Sequence, residues 1–292
     1  MTWAMHPSIT FDISVSWRLS GYPISERTRI VLIDFHSHIH LMLERRFDLK
    51  IDDMIAEIDS NKIFTASNSL DVKSYTVNKA LAEQSKFIHP AFGIHPCNAF
   101  LFSESVEDWI GFISDRAVIG EIGLDYFFEK DSGKYPAQNK VFSTFLQESK
   151  EKILSIHTKG AEEDVLNALV KYRSNRNIPV IHWYSGDSDT LRKMIGQGFY
   201  FSIPPEIRYS DKIREIAKAI PITHLLSETD NPGGPHDYLG KPGTPVLIKV
   251  VVEELARIKG RSVPEMEQQI ETNFGEISRQ SGFEVSIATD FS

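Results

Sequence analysis

The sequence predicts an α/β protein, specifically a (β/α)8 barrel of the TIM type with its site at the carboxyl ends of the strands. Short apolar runs alternate with longer polar–apolar segments, and their starts lie roughly 20–35 residues apart, the spacing of one strand plus one helix. Eight such runs are present, and six of them carry a histidine or a carboxylate at or near the carboxyl end. Apolar strands that alternate with helices form a parallel sheet, and eight units close a barrel.

The eight predicted strands define the domain. They are segments 30–36, 62–67, 87–95, 117–123, 152–157, 178–183, 198–203 and 222–230. We assign residues 30–280 to one barrel domain, 1–29 to a poorly defined N-terminal extension and 281–292 to a C-terminal tail.

The clearest predicted helix is taken as the last one. Thr244 is its N-cap, Pro245 its first helical residue and Gly260 its end. Between them, Leu247, Val251, Leu255 and Ile258 form one apolar stripe.

Composition limits the classes of function. The net charge of −8 does not suit broad, non-specific duplex binding, which needs a basic face. If the substrate is polyanionic, positive charge must come from the site itself, most economically from metal ions. A single cysteine, Cys97, excludes a disulfide framework and fits a reducing compartment. With no long apolar run and no signal-peptide pattern, we expect a cytoplasmic protein that does not enter membranes.

The strand ends carry the chemistry. Parallel barrel strands all end at one mouth, where barrel active sites lie, so residues from distant segments meet there. Imidazole and carboxylate suit divalent metals, and their convergence around an open position activates water near neutral pH. The predicted metal ligands are His36, His38, Glu121, His157, His182 and Asp230.

Several residues have a competing structural interpretation. A lone histidine at a strand end is usually a hydrogen-bonded structural residue. We therefore interpret His89 and His224 as structural and His40 as a loop residue, and leave His236 open.

Four further residues lie near the predicted mouth. His95 either binds an anionic oxygen or donates a proton, the alternative being a structural role behind a ligand. Lys159 either neutralises a phosphate or is simply solvated. Asp125 orients the backbone or a ligand, and Cys97 is inert.

The ordered motifs resemble the TatD family of metal-dependent hydrolases, in the amidohydrolase superfamily. The resemblance runs from about Ile33 to about Ile277 and is specific because the whole set recurs in order. The motifs are DFHSH (34–38), GIHP (93–96), IGEIGLDY (119–126), QNKVFSTFLQESKE (138–151), IHTKGA (156–161), IHWYSG (181–186), GFYFSI (198–203), ETDNP (228–232) and TNFGEI (272–277).

The resemblance implies a barrel hydrolase with one to three divalent ions, Mg, Mn or Zn. It implies a deoxyribonuclease, often a 3′-to-5′ exonuclease on single-stranded DNA or frayed ends. By the same resemblance, His36 and His38 hold one ion with Asp230, Glu121 bridges two, and His157 and His182 hold the second. His95 then contacts the scissile phosphate, Glu228 lies beside the attacking water, and Asp230 is also the base.

Three departures from the family pattern concern the substrate. Lys159 stands where relatives usually have arginine, and a lysine cannot make the bidentate contact to phosphate that an arginine makes. Gly160 stands where a polar residue is common. Trp183 and Tyr184 stand where Cys-Phe is usual, so their rings either stack a base or narrow the pocket.

Two other functions remain open. An ester or amide hydrolase, for example one acting on aminoacyl-tRNA, would use the same activated water, and an aromatic mouth with few cations would favour it. The second alternative is that the protein is a nuclease subunit or a metal-bound partner in a larger system. Aromatic residues in the N-terminal extension support it. Four imidazoles favour Zn or Mn over Mg as the ion.

Overall fold

The computed structural model describes residues 31–44, 49–114 and 117–283, apart from the side chains of residues 44 and 236–238. The predicted N-terminal extension, nearly all of the tail and the side chain of His236 lie outside the described residues.

Parallel strands form the centre of the molecule. In the described chain they are β1 (Leu32–Ser37), β2 (Ile63–Asn68), β3 (Ile88–Ala91), β4 (Val118–Gly123), β5 (Ile153–His157), β6 (Ile178–His182), β7 (Tyr200–Ile203) and β8 (Leu225–Ser227). They form a three-stranded sheet, β1 to β3, and a five-stranded sheet, β4 to β8, and within each sheet consecutive strands pair in parallel. The strands are buried along most of their length, as a helix-covered barrel requires.

Two seams close these strands into the predicted barrel. Between β3 and β4, Phe92 bridges Ile119, and the Gly120 amide donates to the Phe92 carbonyl at 2.9 Å. Between β8 and β1, the Asp230 amide donates to the His36 carbonyl at 2.8 Å. The (β/α)8 prediction is therefore confirmed, and one seam is made by residues of the predicted site.

The strands are joined by helices that cover the barrel. Within the described residues these are α1 (Leu41–Glu44), α2 (Ile51–Asn61), α3 (Val72–Ala82), α4 (Ala99–Phe102), α5 (Gly111–Ser114), α6 (Tyr135–Glu148), α7 (Glu162–Lys171), α8 (Ser188–Gly196), α9 (Asp211–Ala219), α10 (Gly233–Leu239), α11 (Leu247–Lys259) and α12 (Val263–Gln280). No helix of the described chain is both long and apolar enough to cross a membrane.

The helix predicted as the last is α11, and the prediction is wrong in two respects. It begins at Leu247 rather than Pro245, because the Leu247 amide bonds to the Thr244 carbonyl in a preceding turn. A longer helix, α12, then follows. Its signal was present: Ser262 and Glu265 form a reciprocal capping box ahead of an apolar stripe.

Two predicted strands were too long. β3 ends at Ala91, Phe92 makes the single bridge to Ile119, and residues 93–95 then leave the sheet so that His95 precedes a 3₁₀ turn. Residues 222–224 form another 3₁₀ turn before β8, which ends at Ser227. In both places the predicted run extends beyond the paired residues, and sequence alone does not reveal where pairing begins or ends.

Candidate metal centre

Four side chains meet at the carboxyl end of the barrel in a group that we call cluster 1. His36 of β1 and His38, the residue after β1, lie on one face as strand alternation predicts, with their Nε2 atoms 3.1 Å apart. Glu121 Oε2 lies 3.6 and 3.1 Å from these two nitrogens. Asp230 Oδ1 lies 3.7 and 3.4 Å from them. Two imidazoles and two carboxylates thus surround one point.

The other oxygen of Glu121 belongs to a second group, cluster 2. Glu121 Oε1 lies 2.6 Å from His157 Nδ1, 3.6 Å from His95 Nε2 and 3.8 Å from His182 Nε2. One carboxylate therefore faces both clusters, the arrangement that bridging two ions requires. A further group of suitable spacing joins His36, His182 and Glu228, with one donor atom of each within 4.8 Å of the others.

Each predicted histidine ligand is held by its outer ring nitrogen. A carbonyl or carboxylate can only accept, so the outer nitrogens of His38, His157 and His182 carry a proton, whereas the Ser155 hydroxyl beside His36 can either donate or accept. The outer contacts are His36 Nδ1 to Ser155 Oγ at 2.7 Å, His38 Nδ1 to the Asn68 carbonyl at 2.9 Å, His157 Nε2 to Asp125 Oδ2 at 2.7 Å and His182 Nδ1 to Glu228 Oε1 at 2.9 Å. These contacts turn the inner ring nitrogens toward Glu121, where a bound ion would take the place of any proton they carry, such as that of His157 Nδ1 against Glu121 Oε1 at 2.6 Å.

Asp125 lies where the sequence predicts, just past β4. Its Oδ2 orients His157, while its Oδ1 accepts the backbone amides of Phe127 and Phe128 at 2.9 and 2.6 Å. Gln138 of α6 holds the Asp125 backbone from both sides. The carboxylate therefore positions a candidate ligand and a loop at the same time.

Glu228 lies behind His182. It is fully buried and accepts from His182 on one oxygen and from the Ser202 hydroxyl on the other. Asp230 has a positive φ of 52°, an uncommon conformation for a residue with a side chain, and that turn brings its carboxylate to cluster 1. The geometry thus assigns Glu228 to orienting His182 and leaves Asp230 facing the reaction.

His95 faces cluster 2 with a defined tautomer. Its Nδ1 accepts the Cys97 amide at 3.1 Å, so the neutral ring carries its proton on Nε2. Burial lowers the pKa of His95 to about 3, which keeps the ring neutral. A neutral ring with an inward N–H is a hydrogen-bond donor to an anionic oxygen.

Lys159 and Trp183 lie together at the mouth. The ammonium of Lys159 contacts Ser185 Oγ at 3.0 Å and lies 5.1 Å from the Trp183 ring centroid. The indole N–H donates to Glu206 at 2.6 Å. Burial lowers the pKa of Lys159 against the opposing effect of Glu206 and Asp230.

Tyr184 does not take part in the mouth. It is 2% exposed, and its hydroxyl donates to the Asp187 carbonyl at 2.7 Å. The expectation of a paired aromatic patch is wrong, because the peptide after Trp183 turns the next side chain into the core. Of the two aromatic residues, only Trp183 lies at the mouth.

The electrostatics of the centre suit a cation. Burial raises the pKa of Asp230 to about 7 and lowers the pKa values of His36 and His182. Burial also opposes ionisation of Glu121, but His95 and His36 hold its pKa well below the usual range. Against the effect of burial, hydrogen bonds to Asp125 and Glu121 raise the pKa of His157 to about 9. Imidazoles gathered around a carboxylate form a donor set that fits a divalent ion, which would displace a proton from His157 on binding.

The other histidines lie elsewhere. His89 stacks on Phe64 with ring centroids 4.4 Å apart, and His224 packs on Tyr200 at 4.9 Å. His40 lies in the turn before α1 and is buried, its ring 5.7 Å from that of His38. Burial raises the pKa of the Cys97 thiol to about 12, consistent with an inert cysteine.

The sequence reasoning missed three supporting residues. Ser155, Asn68 and Ser202 hold His36, His38 and Glu228 respectively. Ser155 could have been found, because it precedes His157 by two positions on β5 and so shares its face. Asn68 acts through its backbone carbonyl, which every residue has, so the residue type gives no signal of this role.

Comparison with known proteins agrees with this architecture. The model of the family described as TatD related DNase matches residues 33–278, and the chain belongs to that family of metal-dependent hydrolases. Its predicted membership is thereby confirmed.

Individual relatives are similar over most of their length. The chain is 30% identical over 241 residues to the uncharacterized metal-dependent hydrolase YabD of Bacillus subtilis, covering 80% of this chain and 93% of that one. It is 25% identical over 252 residues to YcfH of Escherichia coli, described in the same words, covering 84% and 95%. The crystal structure of YJJV, a TatD homolog from E. coli, superposes with a TM-score of 0.70 at 23% identity, covering 84% and 97%.

Proposed function

We propose that this metal-dependent hydrolase is a deoxyribonuclease that removes nucleotides from the 3′ ends of single-stranded or frayed DNA. The observation that carries the proposal is the shared carboxylate: the two oxygens of Glu121 face two separate groups of imidazole nitrogens. A pair of adjacent cation positions is the arrangement used for phosphodiester hydrolysis. The description of the matching family as DNases supports the same substrate.

The donor sets define which residues would hold the ions. His36, His38 and Asp230 would hold one, His157 and His182 the other, and Glu121 would contact both. Divalent ions there would supply Lewis acidity toward a phosphoryl oxygen and lower the pKa of water. The choice among Mg, Mn and Zn is part of the proposal, and imidazole donors favour Mn and Zn.

The chain's own groups provide the remaining steps. His95 donates from Nε2 to a non-bridging phosphate oxygen, and the ammonium of Lys159 offsets negative charge at the mouth. Asp230 accepts the proton of the attacking water, because its carboxylate faces cluster 1 whereas Glu228 is enclosed behind His182. Trp183, beside Lys159, borders the path of the DNA strand.

The alternatives have less support from the described residues. The ester or amide interpretation depended on two aromatic rings at the mouth, and Tyr184 is in the core. The partner-subunit interpretation depended on residues 1–29, which lie outside the described residues.

The test is hydrolysis of 3′-labelled and 5′-labelled single-stranded DNA by metal-stripped protein re-supplied with Mg, Mn or Zn. We expect metal-dependent early loss of the 3′ label, and at least a ~100-fold lower rate in His157→Ala, which removes a donor. His224→Ala, outside the centre, is the matched control. Failure of every metal to restore cleavage would refute the nuclease proposal and direct the assay to carboxylic esters.

A further inference from the structure

Two phenylalanine side chains beside the metal centre are exposed to solvent. Phe127 and Phe128 lie in the turn after β4 and are 54% and 61% exposed. Scattered apolar residues at a surface are ordinary, but two adjacent phenyl rings at an active-site rim are an informative exception.

The turn that carries them is firmly attached to the candidate centre. One oxygen of Asp125 accepts both phenylalanine amides while the other accepts from His157. The preceding residue, Tyr126, donates its amide to the Lys159 carbonyl at 2.9 Å. The rings are therefore presented by an ordered turn only two hydrogen bonds away from a candidate metal ligand.

Gly160 permits this close attachment. Its φ is +70°, and a Cβ there would lie 3.2 Å from the Phe127 amide nitrogen and 3.4 Å from the Phe127 Cβ. Gly160 is thus a position against which this chain packs the phenylalanine turn.

The rings suit flat ligands better than a protein surface. Their centroids lie 5.0 Å apart with planes at 86°, so their faces point in perpendicular directions. The Lys130 ammonium lies 4.7 Å from the Phe127 centroid, and Lys134 pairs with the neighbouring Glu129 at 2.8 Å. Two rings offer far less than the ~800 Å² per partner that a stable protein interface buries.

We infer that Phe127 and Phe128 form a stacking platform for unpaired bases of the nucleic-acid strand whose scissile phosphate lies at the two clusters. The inference rests on the proposed function and extends it by assigning the contact to base faces, which every base has. The Lys130 ammonium lies over one face of Phe127, so a base stacks on the other face while the ammonium pairs with a phosphate of the same strand. The platform would favour single strands and frayed ends, because bases within a duplex are already stacked.

Equilibrium binding tests the platform separately from cleavage. The probes are a fluorescent thymidine oligonucleotide and an abasic strand of equal length, both with hydrolysis-resistant phosphorothioate linkages. For the metal-loaded wild-type protein we expect the thymidine strand to bind at least fivefold more tightly, the lower end of the roughly fivefold to 150-fold per base that stacking on an aromatic ring gives.

Variants identify the rings as the cause. The double variant Phe127→Leu, Phe128→Leu keeps apolar side chains without flat faces, and we expect it to bind both strands alike. Val170→Ala, which alters a 43% exposed apolar residue on α7, should keep the preference. Thermal melting of each variant checks the fold.

The outcomes separate the two proposals. Equal binding of both strands by the wild type, or an undiminished preference in the double leucine variant, would overturn the platform. Failure of the unmodified strand to be hydrolysed with any metal would overturn the nuclease proposal, while a base preference that depends on the two rings would still establish the platform.

Discussion

At the scale of single residues, the centre depends on groups that touch no substrate. Asp125 keeps a proton of His157 on Nε2, so Nδ1, which lies 2.6 Å from Glu121 Oε1, is the nitrogen that an ion in cluster 2 would bind. In Asp125→Asn the amide oxygen can still accept the turn's backbone amides, but its NH2 would face the histidine as a donor. His157 would then carry its proton on Nδ1 and lose the inward lone pair.

We therefore expect Asp125→Asn to raise the dissociation constant of the bound metal about 10–100-fold, the usual effect of removing such a partner. Isothermal titration calorimetry of metal-stripped protein measures it. Asp131→Asn, an exposed aspartate in the same loop, should bind metal as the wild type does. An unaltered affinity in Asp125→Asn would contradict the assigned tautomer.

His89 provides a pH dependence away from the centre. Burial against Phe64 lowers the pKa of His89 from 6.5 to about 4, so the folded protein favours the neutral ring. Its contribution to stability is complete above pH 6.5 and is lost as the pH falls toward 4. Between pH 7 and 5 we expect this residue to reduce the free energy of unfolding by about 2 kcal/mol.

Urea unfolding of wild type and His89→Phe at the two pH values measures that contribution. Phenylalanine preserves ring packing without titrating, so the variant should lose about 2 kcal/mol less on acidification. Equal losses in the two proteins would show that His89 titrates normally in the fold.

At the scale of elements, α12 attaches the end of the chain to the barrel. The buried Asn273 amide donates to the carbonyls of Ile222 and Leu225, both at 2.8 Å, just where the chain enters β8. Because β8 leads directly to Glu228 and Asp230, this contact also supports the site.

Asn273→Ala would leave these two acceptors without their donor, at a cost of about 2 kcal/mol in the free energy of unfolding. Chemical denaturation measures it, with Thr272→Ala, exposed on the same helix, expected within ~0.5 kcal/mol of wild type. Similar small effects in both variants would mean that water replaces the amide.

Elements were predictable where their signal is local. α11 ends at Gly260 with φ 63°, as its C-terminal glycine indicates, and strand alternation correctly placed His36 and His38 on one face. The departure of residues 93–95 from the sheet was not predictable, because only pairing with neighbouring strands decides where β3 stops.

At the scale of the whole molecule, the centre gathers buried imidazoles and carboxylates inside a protein of net charge −8. An ion that binds the folded state alone stabilises it by about 2.7 kcal/mol at a hundredfold excess over its dissociation constant. We therefore expect chelation to lower the melting temperature by roughly 5–10 °C, and Mn or Zn to restore it.

Differential scanning calorimetry of chelated and re-loaded protein measures this shift. Glu121→Gln, which weakens the residue facing both clusters, should reduce it, whereas Glu253→Gln on α11 should not. A melting temperature independent of metal would contradict binding at this centre.

The sequence by itself determined the barrel, the family and the residues that meet at its mouth. These follow from periodic and local features: strand alternation, the spacing of strands and helices, and polar residues where apolar runs end. Parallel strands bring such ends together whatever the details of packing.

Only the tertiary structure decided what each of those residues faces. The turn at Asp230 separates it from Glu228, the core takes up Tyr184, and Asp125 joins His157 to the phenylalanine turn. Each outcome depends on hydrogen-bond partners and packing supplied by segments distant in sequence, and local patterns carry no record of them.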